Sequence, residues 1–110
     1  MDRRSLLLDL VSSPTPSSYI PAGFFLHFDP AHQQGQAAIN RHLEFFEYTG
    51  MDFVKIQYEQ LAPSGQPVRR VQDWRRAPRV DEAFFNPTLE VVDALVRAAG
   101  RQALVLLTLY

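Results

Sequence analysis

Apolar residues recur along this chain with two different periods, and the alternation between them predicts its elements. Over residues 2–11, Leu6, Leu7, Leu10 and Val11 fall at helical spacing behind Asp2, a natural N-cap, and predict a short amphipathic helix. The run Ser12-Ser13-Pro14-Thr15-Pro16-Ser17-Ser18 ends it, because two prolines among serines neither continue a helix nor donate to a ladder. Residues 20–28 form a nearly continuous apolar run with aromatics, the pattern of a strand covered on both faces, and Asp29-Pro30 breaks it. Over residues 37–49, Ile39, Leu43 and Phe46 share one helical face while Arg41, Glu44 and Glu47 lie elsewhere, and Gly50 stands where a left-handed C-cap belongs. Phe53, Val54, Ile56 and Tyr58 then predict a second strand over residues 52–59.

Residues 60–85 hold Pro63, Gly65, Pro67, Pro78 and five arginines without a sustained period, and read as a long excursion above a sheet. A helix over residues 87–99 follows. Asn86 is its expected N-cap, Pro87 its first residue, Leu89, Val92, Leu95, Val96 and Ala99 its buried stripe, and Gly100 its end. A third apolar strand is expected over residues 103–110.

Alternating strands and helices with short returns imply an α/β fold with parallel strands and right-handed crossovers. A leading helix and Pro/Ser linker would occupy residues 1–18, and three parallel strands with crossover helices residues 19–110. With no further element to cover the last strand, the expectation is the amino-terminal part of a TIM (β/α)8 barrel, a fold that needs about 200 residues or more. The alternative is a complete three-stranded module, non-catalytic, that closes its open sheet edge by forming a homodimer.

Composition narrows the function classes. Eleven Lys and Arg against twelve Asp and Glu leave a formal net charge of -1, too little to steer the chain onto nucleic acid or an anionic membrane. With no cysteine, disulfides and thiolate chemistry are excluded within these residues, and a cytoplasmic location is expected. The apolar stretch of residues 6–11 contains Asp9 and is too short to span a bilayer.

In a parallel barrel the ligand site lies at the carboxyl ends of the strands. If Val54, Ile56 and Tyr58 face the outer helices, Phe53, Lys55, Gln57 and Glu59 face the interior, and three polar side chains there suggest a polar cavity. Glu59 is the candidate catalytic carboxylate, as an acceptor for substrate nitrogens, a general base or a metal ligand, against a plain loop carboxylate at the strand end. His27, Lys55 and Gln57 are the candidate substrate-binding residues. The competing readings are a satisfied core histidine, an internal ion pair and an amide held by backbone. His42 falls in the amphipathic helix as a surface or boundary residue, and no metal-ligand spacing links His27, His32 and His42. Trp74 with Arg69, Arg70, Arg75, Arg76 and Arg79 offers a nucleic-acid patch or a carboxylate clamp, but Asp73, Asp81 and Glu82 offset the charge and favour a solvated loop.

Three stretches, Ile20-Pro21-Ala22-Gly23-Phe24-Phe25-Leu26-His27-Phe28, His42-Leu43-Glu44-Phe45-Phe46 and Gly50-Met51-Asp52-Phe53-Val54-Lys55-Ile56, resemble the uroporphyrinogen decarboxylase family in order and spacing. The resemblance implies an eight-stranded α/β barrel that decarboxylates a tetrapyrrole or, in relatives, passes methyl groups between cobalamin proteins and thiols. It implies a small-molecule substrate, a corrinoid protein as a partner of the methyltransferase branch, and zinc as that branch's metal; no cofactor is evident in this segment. Leu26-His27-Phe28-Asp29-Pro30 stands where the decarboxylases carry an arginine-rich motif, and Glu59 matches the family's aspartate near the end of the second strand.

Overall fold

The computed structural model describes residues 2–57 and 65–108. Three α-helices and two strands follow one another: α1 (Arg3–Ser12), α2 (Gly35–Thr49), β1 (Val54–Ile56), α3 (Asn86–Ala99) and β2 (Val105–Leu107), with short 3-10 helices at Pro30–His32, Val71–Arg76 and Glu82–Phe85. The fold is mixed α/β. β1 and β2 pair in parallel, Val54 opposite Val105, Lys55 opposite Leu106 and Ile56 opposite Leu107, with α3 as the crossover between them.

The core lies between this sheet and two helices. Val54 and Ile56 are each 1 % exposed and pack with Ala38 and Phe46 of α2 and Val91, Leu95 and Ala99 of α3. Each such branched side chain, fully buried, stabilises the fold by roughly 1.5–3 kcal/mol. α2 ends where expected: Gly50 adopts φ 64°, a left-handed conformation that a Cβ disfavours, and its N–H donates to Phe46 O at 3.1 Å.

Three expectations are corrected. The buried stripe of α3 is Val91, Leu95 and Ala99, with Leu89 and Val96 turned outward, because the helix docks on β1 through an i, i+4 ridge. Asn86 is the first helical residue rather than the cap. Asp81 takes the capping role one turn earlier, its Oδ1 accepting the Phe84 N–H at 3.1 Å in the 3-10 helix that leads into α3. Thirdly, residues 20–28 form no strand of the sheet, so among the described residues the parallel strands are two where three were expected.

That third departure follows from how the segment meets residues 52 and 53. The segment runs beside β1 in the same direction, with Ala22 against Asp52 and Phe25 against Lys55. The Asp52 N–H donates to the Ala22 carbonyl at 2.8 Å, which is one rung of a ladder. The Ala22 N–H then turns to the Asp52 side chain at 2.7 Å instead of continuing, and Pro21 has no N–H to offer. Gly23 lies under the Phe53 ring, where a Cβ would collide with it.

α1 is capped by Asp2, whose Oδ1 accepts the Ser5 N–H at 2.8 Å; this bond holds the Asp2 carboxyl below the usual carboxylate range. Its start is tied to the turn before β2, Arg4 N–H donating to Gln102 O at 2.9 Å, and the Arg3 guanidinium lies 5.0 Å from the centre of the Phe46 ring. Leu7 is buried, whereas Val11 is exposed, so the helix contacts the core through its first turns.

Candidate functional site

The carboxyl end of β1 gathers most of the candidate residues, and two neighbouring arrangements form there. The first is built on Phe25. The Lys55 ammonium lies 5.6 Å from the centre of its ring, and the His27 ring meets it edge-on at 4.6 Å. Lys55 Nζ also donates to the Ile56 carbonyl at 3.0 Å, and among the described residues no carboxylate pairs with it. Partial burial pushes its pKa below that of an ordinary lysine, because the charged form loses hydration. His27, expected to point inward from a strand, sits instead on an exposed segment.

The second arrangement is centred on His42. Far from being a surface residue, it is 4 % exposed, and both ring nitrogens are engaged: Nδ1 with the Ala38 carbonyl at 2.6 Å, and Nε2 with the Gln57 N–H at 2.9 Å. A carbonyl only accepts and an N–H only donates, so the ring is neutral with its proton on Nδ1. A helix side chain thereby takes the hydrogen bond that a neighbouring strand would otherwise receive at the end of β1. Its burial follows from α2 docking through Ala38, His42 and Phe46, an i, i+4 row whose middle member is polar. The apolar spacing did not reveal this; the Ala38-to-Phe46 row could have done so had Ala38 been weighted as a core residue.

Gln57, expected on the same open face as Lys55, lines a cavity with His42, Ile56 and Val91 instead. Its residue is 5 % exposed, and its Oε1 is enclosed without a hydrogen-bond partner. The cavity holds about 40 Å³. That is room for a few waters, one of which would satisfy Oε1, and far too little for a macrocycle. A large ligand would therefore meet Lys55, Phe25 and His27 on the open side of the sheet. Glu59, the catalytic candidate, lies outside the described residues.

A second histidine cluster proves chemically closed. His32 bridges Asp29, through Nδ1, and Arg41, whose guanidinium donates to Nε2 at 3.0 Å. The nitrogen that a general base would use is occupied. Among the described residues no three His, Asp or Glu side chains group closely enough to hold a metal ion. No helix among them is long and apolar enough to cross a membrane.

Asp52 anchors the segment that carries Phe25 and His27. The Tyr19 hydroxyl facing it and the Ala22 N–H hold its carboxyl below the usual carboxylate range, and the same carboxylate raises the Tyr19 hydroxyl. The hydroxyl faces the carboxylate without reaching hydrogen-bond geometry, so the Ala22 N–H is the directional contact of the group. The chain matches no protein-family model, no curated protein and no solved structure.

Proposed function

We propose that the chain forms a wall of a uroporphyrinogen decarboxylase-like (β/α)8 barrel in a cytoplasmic enzyme that acts on a tetrapyrrole or a methyl donor. One observation carries the reading: both helices cover the same face of the parallel pair, leaving Lys55 and Phe25 on the other, as the interior of a barrel requires. A desolvated lysine beside an aromatic ring suits a flat, carboxylated substrate, the ammonium pairing with a carboxylate and the ring stacking on the macrocycle. His27 would add a hydrogen bond from the open side, Gln57 is enclosed on the helix side and would not reach the substrate, and Glu59 would serve as the acid or base. The methyltransferase branch would add a corrinoid protein as partner and zinc as metal, with ligands outside the described residues.

Uroporphyrin, which is fluorescent and carries eight carboxyl groups, is the direct probe. The reading expects saturable quenching with the 110-residue chain and at least about fivefold weaker binding in Lys55→Met, since a charge-assisted contact contributes roughly 1–3 kcal/mol. Binding that ignores Lys55 would refute it, as would none at all. In an active barrel, Glu59→Gln should lower turnover at least about tenfold.

A second reading rests on the outer edge of β2, which has no strand partner among the described residues and carries a half-exposed Leu106. Edge-to-edge pairing of two copies would give a non-catalytic homodimer. Size-exclusion chromatography with hydrogen exchange separates the two: a dimer with cooperatively protected β2 amides favours the second.

A further inference from the structure

The arginine-rich excursion is a built loop. Within residues 65–78 the two ends meet, for a Cβ on Gly65 would lie 2.6 Å from Pro78 Cδ, and the 3-10 helix Val71–Arg76 between them packs against none of the other described helices or strands. It is held by its own groups instead. Asp73 Oδ2 accepts the N–H of Arg69 at 3.0 Å and of Arg70 at 2.9 Å, and the Asp73 and Ala77 N–H groups close the 3-10 helix Val71–Arg76. A self-packed loop with adjoining ends, of roughly 6–16 residues, is the geometry of an Ω-loop.

The charge balance read from the sequence changes once the carboxylates are placed. Asp73 keeps its charge but turns one oxygen to backbone N–H groups inside the loop, while Asp81 caps the start of the next 3-10 helix, to which Glu82 also belongs, outside the arginine hollow. Arg69, Arg70 and Arg76 line a hollow of about 260 Å³ with Gln66, Pro67 and Asp73, three guanidinium groups against one carboxylate. Among the described residues only Arg70 of these five arginines has an ion pair, a long 3.8 Å contact to Asp73, while Arg75 and Arg79 add charge nearby. Beside the guanidinium groups Trp74 is 67 % exposed and Val71 86 %.

We propose that this loop is a docking site for an acidic segment of a protein partner, whose carboxylates enter the arginine hollow while an apolar side chain rests on Trp74 and Val71. Arginine forks match carboxylates, and exposed Trp and Arg are the residue types that dominate protein interfaces. The apolar residues interleaved with the charges, and the net charge of -1 on the whole chain, favour a protein over nucleic acid. This site is independent of the barrel reading, because that reading uses none of its residues.

The test is a fluorescence-anisotropy titration of a labelled peptide of alternating Glu and Leu with the 110-residue chain at about 50 mM salt, where charge contacts are weakly screened. The expected result is saturable binding, tighter than that of a single-stranded oligonucleotide of equal charge, and at least about tenfold weaker in R69E/R76E and in Trp74→Ala. Trp74 is the sole tryptophan, so its emission should also shift on titration of the unaltered chain, a readout that needs no variant. Absence of peptide binding, unchanged affinity in both variants, an unmoved Trp74 emission, or tighter oligonucleotide binding would each overturn the proposal.

Discussion

Two apolar runs lie side by side in this molecule and meet different fates. Residues 51–56 enter a ladder, with Met51, Val54 and Ile56 sealed beneath two helices. Residues 20–28, no less apolar, follow them in the same direction yet leave Phe24, Phe25 and Leu26 about half exposed. The first run has two amphipathic helices of the right length on one side and a strand partner on the other. The second has a proline at its start and a glycine under a phenylalanine ring, and its aromatics have no covering layer among the described residues. Hydrophobicity selects residues for burial, but a strand forms only where some layer exists to bury it.

The largest effect that would sharpen this contrast is expected at Leu95, fully enclosed between α3 and the sheet. Leu95→Ala should lower unfolding stability by about 2–5 kcal/mol in urea melts, the usual loss for a core leucine whose cavity cannot collapse. A loss below about 1 kcal/mol would place the core elsewhere. Next is His42→Leu, which keeps the volume but strips the Gln57 N–H of its acceptor. The expected loss is about 1–3 kcal/mol, with faster hydrogen exchange at Gln57 than at Val54. Unchanged exchange at Gln57 would mean that His42 does not hold the end of β1.

A pH titration probes how the second run is attached. The Asp52 carboxyl is depressed in the folded chain, so its contribution is fully present above the unfolded pKa of about 4 and fades as pH falls through the lower folded value. The normal chain should therefore lose stability on acidification below about pH 4, and Asp52→Asn should flatten that limb of the curve. Identical acid limbs would remove Asp52 from the anchor. The smallest effect is expected at Phe24: replacement by Ser should change stability by about 0.5 kcal/mol or less, since the side chain is already half in water. A core-sized loss would break the comparison outright.

Much of the framework was legible beforehand for local reasons. Helix α2 could be placed because its apolar residues repeat at helical spacing and Gly50 supplies the left-handed stop that any chain of L-residues needs there. β1 and β2 could be placed because short branched runs follow the glycines that close α2 and α3, Gly50 left-handed and Gly100 still right-handed. The candidate site was less legible. Lys55 stands on the open face as the period of two requires, whereas Gln57, two residues on, is drawn under the helices by a histidine distant in sequence. The alternation of a strand holds only while its ladder holds, and β1 ends at Ile56.

The amino-acid order thus settled the helices, their glycine- or proline-marked ends and the α/β class, because these depend on backbone sterics and on spacing within a turn or two. Tertiary packing decided which apolar run became a strand, which face of α3 turned inward, that His42 would be buried, and that Asp73 would turn to the backbone of its own loop. Those outcomes turn on which residues distant in the chain compete for the same neighbour, and no local pattern records that competition.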